Sequence, residues 1–356
     1  MADNKRTVAP TVDEKPILIG GTIKLRFERK EKRDGLSDSK KSAAEKWSDE
    51  VLAVGLHALR KTFVDHLKGF SAEGPRTAFK DESNVDKNRY GDVDLLDKTR
   101  VKITINPGNF LLLLGADDDY IHGSFVEVCP QMRVICTQGP LENTARQFWI
   151  MIVEQSAKVI LQLCQNTENG RKKCAEYVPL KTGGKMEFGG VKIKVVAANV
   201  TVGAMKKVTR TFVEITYGER IFETTHLLYA GWPDHTVPES LSTYLELRNL
   251  ILRIYDKAPI VTHCSAGVGR TGSFVAIEMA IYALIIKNDR EFSMVETIKK
   301  LRAQRAHSVQ NDQQYAFIHR CVLEILASNG HIMRSSRLQK FCNEYEDLIQ
   351  RKHAKI

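Results

Sequence analysis

The chain has 356 residues, 43% of them hydrophobic and 27% charged, which is enough apolar material for one large globular domain or two small ones. Lysine plus arginine number 53 against 43 for aspartate plus glutamate, and the formal net charge of +10 favours acidic partners such as phosphopeptides, anionic lipid surfaces or nucleic acid. The seven cysteines are scattered without CxxC pairs, which argues for reduced thiols and against a zinc site.

The N-terminus and the longest apolar stretch indicate the compartment. Residues 1–20 lack the charged-then-apolar pattern of a signal peptide. The longest apolar stretch, residues 273–286, includes Glu278 and is shorter than the roughly 20 residues that a membrane span needs. We therefore expect a cytoplasmic protein, with a nuclear location as the alternative, and no transmembrane segment.

Residues 1–40 are predicted to be a charged, disordered segment. Both charge signs are dense between Lys24 and Lys41, and aromatic residues are few. One interpretation is a solvated tail; the other is an arm that makes weak contact with an anionic surface or binds a partner.

A helix is predicted from Ser42 to Gly69, because large apolar residues recur on one helical face. Gly69, Gly74 and Pro75 then end it. The residues of the apolar face are Leu52, Leu56, Leu59, Phe63 and Leu67.

The hydrophobic pattern of the remaining chain predicts both strands and helices. The predicted strands are 101–105, 158–163, 186–188, 191–196, 211–216, 226–229 and a short buried strand that ends at His263. The predicted helices are 148–155, one that starts near Glu239, one after Arg270, 316–328 and an amphipathic helix at 334–352.

Two polar segments lie between these elements. Tyr90 and Asp92 precede the first strand and, taken alone, indicate an exposed polar loop. Glu168 and Lys173 follow the strand 158–163 and, taken alone, would be surface charges.

The most informative stretch is residues 261–272, with the sequence VTHCSAGVGRTG. Between Cys264 and Arg270 lie five residues that include Gly267 and Gly269, and a helix follows. Such a loop lets successive N–H groups point at one spot, and the helix N-terminus adds its positive dipole end, so the loop is suited to bind phosphate. Arg270 can donate to two phosphate oxygens, and the same surroundings lower the pKa of the Cys264 thiol.

The alternative for this stretch is a structural turn between a strand and a helix, with a buried cysteine. That alternative leaves Arg270 without a partner in a loop otherwise suited to an anion. The pattern therefore favours a thiolate nucleophile directed at phosphorus.

The run HCSAGVGRTG at residues 263–272 resembles the signature of the tyrosine-specific protein phosphatases, including those of the non-receptor type. Other blocks are similar to the same family: KNRYGDV at 87–93, DYIHGSF at 119–125, ICTQGPL at 135–141, WPDHTVP at 232–238 and the glutamine-containing segment 301–315. The resemblance covers about residues 60–328. It implies an α/β fold in which a twisted mixed β-sheet is flanked by helices on both faces.

The resemblance implies a role for each catalytic residue. Cys264 would attack phosphorus, Asp234 would act first as general acid and then as base, and Gln310 would place the attacking water. The phosphate would be bound by Arg270 and by the main-chain N–H groups of Ser265, Ala266, Gly267, Val268 and Gly269.

The resemblance also implies binding and supporting residues. Tyr90 would form one wall of a deep slot, and Asp92 would hold the backbone of the substrate peptide. The segment 232–238 with Asp234 would be the family's acid loop. The supporting residues would be His263 before the nucleophile, Thr271 as a donor to the thiolate, Glu168 in contact with Arg270, Lys173 in contact with the acid loop, and Gln314 beside Gln310.

Thr236 departs from the family pattern, which has glycine at this position of the acid loop. A β-branched residue restricts the backbone, so we expect slower or rarer closure of the loop.

The expected function is hydrolysis of phosphotyrosine in proteins through a cysteinyl-phosphate intermediate, without metal or cofactor. The expected partners are tyrosine-phosphorylated proteins and not nucleic acid. The expected domains are a catalytic domain at 41–328 and a C-terminal amphipathic helical extension at 329–356. Two alternatives stay open: a phosphotyrosine-binding scaffold with weak turnover, and a dual-specificity phosphatase, which would not need the Tyr90 segment.

Overall fold

A computed structural model describes residues 41–103, 119–200 and 202–353, so the predicted segment 1–40 and the end of the predicted strand 101–105 lie outside the described residues. The helices are α1 (Ala43–His66), α2 (Thr77–Lys80), α3 (Ala145–Glu154), α4 (Leu241–Ile254), α5 (Arg270–Ile281), α6 (Met294–Arg302), α7 (Asp312–Ser328) and α8 (Ser336–His353). The strands are β1 (Arg100–Lys102), β2 (Tyr120–Cys129), β3 (Met132–Thr137), β4 (Val159–Gln162), β5 (Thr167–Glu168), β6 (Arg171–Lys172), β7 (Lys185–Phe188), β8 (Val191–Val200), β9 (Val208–Tyr217), β10 (Arg220–Tyr229) and β11 (Ile260–His263). Within these ranges no helix combines the length and the apolar character needed to cross a membrane.

Nine strands form one mixed sheet in the order β1-β2-β3-β11-β4-β10-β9-β8-β7, and β5 and β6 form a separate hairpin. β3, β11, β4 and β10 are parallel neighbours, whereas the other pairs of the sheet are antiparallel. α3 packs against β2, β8 and β9, and α5 packs against β2, β3 and β11. The predicted fold class, an α/β fold with a twisted mixed sheet flanked by helices, is confirmed.

The parallel strands place the predicted site at one edge of the sheet. The carboxyl ends of β3, β11, β4 and β10 meet at this edge, which is where open α/β sheets bind ligands. Gln138 follows β3, Cys264 follows β11, Glu168 follows β4 and Asp234 follows β10. Segments far apart in sequence therefore meet around the end of β11, which is buried at every position.

Helix α1 confirms the predicted N-terminal helix but contains a break that the sequence did not predict. Ser42 and Glu45 form a capping box. The Ser42 N–H donates to the Glu45 carboxylate at 2.9 Å, and the Glu45 N–H donates to the Ser42 hydroxyl at 3.2 Å. Gly55 has φ 75° and ψ 166°, so the helix is interrupted there and its buried face changes. After the break the predicted face is buried, whereas before it Leu52 is only half-buried. The buried side chains before the break are Ala43, Ala44, Trp47, Ser48 and Val51.

Helix α8 packs on α1 and α7 and shares their core, although it follows the predicted domain boundary at residue 328. Arg334, just before α8, pairs with Glu324 of α7 at 2.5 Å, and Arg320 pairs with the same carboxylate at 2.9 Å. Burial raises the pKa of Glu324, but the hydrogen bonds from these arginines and from Ser328 outweigh it and lower the pKa to about 2. The buried side chains of α8 are Leu338, Phe341, Cys342 and Tyr345.

Replacement of Gly55 by alanine should lower the free energy of unfolding by about 1–3 kcal/mol. The combination of φ 75° and ψ 166° is accessible almost only to glycine, whereas a Cβ at this position would meet no atom within 4 Å. The cost is therefore conformational and not steric. Denaturant unfolding of Gly55→Ala measures it.

Gly69→Ala is the matched control, because Gly69 also has open space around it but no positive φ. This variant should unfold like the unchanged protein. Equal losses in the two variants would show that the break at Gly55 is not the cause.

Candidate active site

The loop that follows β11 has its carbonyl groups turned outward. Five consecutive carbonyls, those of residues 264–268, accept hydrogen bonds from other groups. Because the C=O and N–H of a trans peptide point in opposite directions, the N–H groups that follow them face inward. The donors are the His263 ring at 3.1 Å, the Gly139 N–H at 2.8 Å, two nitrogens of Arg305 at 3.0 and 3.1 Å, and the Val309 N–H at 2.9 Å.

The sulfur of Cys264 lies inside this ring of N–H groups, and the Gly267 N–H donates to it at 3.3 Å. Burial alone would raise the pKa of the thiol. The charge of Arg270, the hydroxyl and N–H of Thr271 and the N–H of Gly267 act against burial, and the net pKa is lowered. Burial without such partners raises the pKa of Cys136 and Cys174 to about 12, so the loop makes Cys264 distinct.

Two glycines of the loop are required by close approach. Gly267 has φ 70°, and a Cβ there would lie 2.0 Å from the carbonyl oxygen of Thr137. A Cβ at Gly269 would lie 2.2 Å from Oε1 of Gln310 and 2.9 Å from Nε2 of Gln314. The two glutamine amides therefore reach the loop because residue 269 has no side chain.

The guanidinium of Arg270 is buried and held in a fixed orientation. Its two terminal nitrogens donate to the two carboxylate oxygens of Glu168 at 2.6 and 3.0 Å, and one of them also donates to the Trp232 carbonyl at 2.8 Å. Glu168 lies on the β5–β6 hairpin, so this hairpin sets the direction of the arginine. This geometry agrees with the prediction that Glu168 orients Arg270.

Asp234 lies over the loop and makes two ion pairs. Its carboxylate accepts from Arg270 at 2.9 Å and from Lys173 at 2.5 Å. Burial raises the pKa of Asp234, but the bond to Lys173 and the charge of Arg270 outweigh it, so the net pKa is lowered. Asp234 is thus ionised in this arrangement, and a proton on it requires a change in its surroundings.

Thr236 makes hydrogen bonds that the sequence did not predict, and its expected effect on the rate of loop closure stays a prediction. The positive φ of 56° belongs to His235 and not to Thr236. The Thr236 hydroxyl donates to the Pro233 carbonyl at 2.7 Å, and the Trp232 indole donates to the Thr236 carbonyl at 2.9 Å. These bonds stabilise the arrangement in which Asp234 meets Arg270, whereas the sequence-based expectation was opposition to it.

Tyr90 is attached to the loop through Ser265. The Ser265 hydroxyl donates to the Lys173 carbonyl at 3.1 Å, so the Tyr90 hydroxyl is the donor in its 2.8 Å bond to Ser265. Together with exposed Asp92 it lines a cleft of about 430 Å³. This position agrees with the predicted wall of a slot.

The cleft brings most of the predicted site residues together. Those that line it are Tyr90, Asp92, Lys173, Asp234, Cys264, Ser265, Ala266, Arg270, Gln310 and Gln314. The other predicted residues do not line the cleft: they are His263, Gly267, Val268, Gly269, Thr271 and Glu168. Each of them either belongs to the phosphate loop, residues 264–270, or contacts it. The buried amide nitrogen of Gln314 has no hydrogen-bond partner among the described residues.

A buried polar network behind His263 was not predicted. Nδ1 of His263 must be the donor to the Cys264 carbonyl, so its Nε2 accepts from the Tyr177 hydroxyl at 2.6 Å. Nε2 of His226 lies 3.1 Å from the Tyr177 hydroxyl and 2.9 Å from Oε1 of Gln162. Since these oxygens face it, His226 carries its proton on Nε2. Burial lowers the pKa of His226 to about 3 and that of His263 to about 4, so both rings are neutral.

Arg305 is the second element that the sequence left without a role. Besides two loop carbonyls, its guanidinium contacts His122 at 3.1 Å and Ser124 at 3.4 Å. Burial lowers its pKa to about 10. His122 is thus a satisfied core group, as predicted. Arg305 lies in the same segment as Gln310, but no local pattern indicates that it contacts the phosphate loop.

Comparison with known proteins identifies relatives of most of the chain. The family model for the protein-tyrosine phosphatases matches residues 84–324. Human tyrosine-protein phosphatase non-receptor type 9 is 32% identical over 324 residues, which cover 82% of this chain and 53% of that protein. Human non-receptor type 12 is 32% identical over 278 residues, which cover 77% of this chain and 34% of that protein. The chain thus spans about half the length, or less, of these relatives.

Solved structures are similar as well. The catalytic domain of human protein tyrosine phosphatase non-receptor type 18 matches with a TM-score of 0.67 at 28% identity. This match covers 80% of our chain and 99% of the chain in that structure. The type 18 phosphatase in complex with HER2 phosphopeptides has a TM-score of 0.65 at 28% identity, covering 79% and 94%. The family predicted from the sequence is confirmed, and the chain belongs to the protein-tyrosine phosphatase family.

Proposed function

We propose that the protein hydrolyses phosphotyrosine in other proteins through a cysteinyl-phosphate intermediate. The observation that carries this proposal is the thiol of Cys264, whose pKa is lowered inside a ring of inward N–H groups. The same donors that stabilise a thiolate also bind the equatorial oxygens of a phosphoryl group during transfer. Neither a metal nor a cofactor has a step in this mechanism.

In the first step the phosphate binds to the loop and to Arg270. The dianion takes the place that the Asp234 carboxylate holds at 2.9 Å from Arg270. Its negative charge beside Asp234 raises the pKa of that carboxyl, so that it can carry a proton. The Cys264 thiolate then forms the S–P bond, the P–O bond to the tyrosine breaks, and Asp234 gives its proton to the phenolate oxygen.

In the second step water attacks the phosphocysteine. The amides of Gln310 and Gln314 lie against Gly269, where they can hold this water. The Asp234 carboxylate takes a proton from the water, the S–P bond breaks, and inorganic phosphate leaves with the thiolate restored.

The depth of the cleft supports selectivity for phosphotyrosine. Cys264 is 3% exposed, and Tyr90 rises beside it from the wall. A tyrosine ester is long enough to reach the sulfur, whereas a serine ester is shorter.

The similarity to non-receptor tyrosine-protein phosphatases supports a catalytic domain at 41–328 and a cytoplasmic location, and we propose both. We also propose that segment 1–40 makes weak contact with anionic surfaces.

The purified protein should release phosphate from a phosphotyrosine peptide and not from the matched phosphoserine peptide. Cys264→Ser should abolish release and retain peptide binding. Asp234→Asn should lower kcat by about 10²- to 10⁴-fold. Acid quenching of the reaction, followed by mass spectrometry, should find a phosphoryl group on Cys264.

Other outcomes would support the alternatives. Binding of the phosphotyrosine peptide without release would indicate a scaffold. Equal release from both peptides would indicate a dual-specificity phosphatase.

His226→Leu should raise the pKa of Cys264, whereas His226→Gln should largely preserve it. Without the N–H of His226, Oε1 of Gln162 competes with His263 for the hydroxyl proton of Tyr177. His263 then loses the hydrogen bond that its Nε2 accepts, and its tautomer is no longer fixed. The rate of alkylation by iodoacetate should rise with pH through a midpoint below about 8.5 in the unchanged protein. This midpoint should shift to higher pH in His226→Leu. Coincident profiles would show that the network does not act on the sulfur.

Thr236→Val should reduce kcat by about two- to tenfold, because about 1 kcal/mol from the hydrogen bond to Pro233 is lost. Thr236→Ser keeps the hydroxyl and should resemble the unchanged protein. Stopped-flow fluorescence of Trp232 during ligand binding measures the loop directly. Faster turnover in Thr236→Gly, which removes the β-branched side chain, would support the original expectation that this side chain opposes closure.

A further inference from the structure

The β5–β6 hairpin presents a second side chain beside the catalytic arginine. Glu168 and Arg171 are directly opposite each other in the hairpin, so their side chains lie on the same face. The carboxylate of Glu168 is taken up by the two nitrogens of Arg270 at 2.6 and 3.0 Å. Arg171 therefore lacks the partner that its register would give it.

Arg171 differs from the other cations that line the cleft. Lys172 pairs with Glu142, Lys173 pairs with Asp234 at 2.5 Å, and Arg270 pairs with Glu168. The side chain of Arg171 is exposed and makes no hydrogen bond or ion pair with any residue in the part of the chain that the structure describes. Its guanidinium is available to a ligand that enters the cleft.

The residues that line the cleft also include an exposed negative group. Asp92 is exposed there, and Gly91 beside it has no side chain. A peptide that extends from the phosphotyrosine over the mouth of the cleft can thus meet both a negative and a positive side chain. Complementary charges of this kind select among partners and fix their orientation.

We propose that Arg171 binds the carboxylate of an aspartate or glutamate that flanks the phosphotyrosine, so that the protein acts preferentially on acidic segments. The planar guanidinium can donate two parallel hydrogen bonds to a carboxylate. Arg171 is a specificity residue and does not touch the reacting atoms. The inference rests on the proposed function, because it concerns the substrate of the same cleft.

The test compares three phosphotyrosine peptides of one sequence in which the flanking positions are glutamate, glutamine or lysine. The unchanged protein should have a kcat/KM about three- to tenfold higher for the glutamate peptide than for the lysine peptide, since a partly exposed charge pair has this size. Arg171→Glu should invert this ratio, and Arg171→Gln should bring it close to one. Raising the ionic strength from about 0.05 to about 0.5 M should reduce the preference of the unchanged protein.

Lys185→Glu is the matched control, because it makes the same change of charge as Arg171→Glu. Lys185 is exposed on β7, at the far edge of the sheet. This variant should keep the ratio of the unchanged protein. A preference for glutamate that survives in Arg171→Glu, or that Lys185→Glu removes equally, would overturn the assignment to Arg171.

A small aryl phosphate, p-nitrophenyl phosphate, separates this inference from the proposed function. Its hydrolysis together with equal kcat/KM for the three peptides would overturn the role of Arg171 and leave the phosphatase function intact. Failure of the unchanged protein to hydrolyse any of the four substrates would overturn the proposed function and the inference with it.

Discussion

The orientation of five peptide groups is the constraint on which the site depends. A loop of N–H donors that faces one point leaves its carbonyls facing away, and buried carbonyls must be hydrogen-bonded. The protein meets this demand with donors from four other places in the chain, among them Gly139, Arg305 and Val309. The anion site is thus formed in advance of any ligand, and the surrounding domain serves to hold those outward bonds.

The charge of the buried arginine is neutralised by carboxylates of the protein itself. Arg270 has a carboxylate partner on each side, Glu168 and Asp234, but the two partners differ in attachment. Glu168 holds both terminal nitrogens, whereas Asp234 shares its carboxylate between Arg270 and Lys173. Glu168 is suited to stay in place as a fixed support, and Asp234 is suited to move, which fits its proposed role as a proton carrier. In the proposed mechanism the phosphate would replace Asp234 beside Arg270, so that the buried arginine would always have an anionic partner.

Much of the chemistry could be predicted from the sequence, because Cys264 to Arg270 are consecutive and a loop between a strand and a helix has a defined geometry. The roles of distant residues came from resemblance, and the structure brings them to the cleft. The Gly55 break was not predictable, since glycine in an apolar pattern is compatible with a continuous helix. The contact of His226 on β10 with Tyr177, which lies between β6 and β7, joins distant parts of the chain and leaves no local signal. Thr236 was interpreted from its backbone preference alone, whereas the structure adds a hydrogen bond from its hydroxyl to the Pro233 carbonyl.

The position of β11 has a consequence for how the molecule forms. β3 and β4 are joined through α3 and come from one continuous segment, yet β11 lies between them in the finished sheet. The chain must leave that gap open, or reopen it, until residues 260–263, far downstream of both strands, arrive. Pairing at such sequence separation is slow, because loop closure precedes the gain from contact. During synthesis the protein therefore remains without its candidate active site until β11 has been made, and Cys264 arrives with the strand that fills the gap.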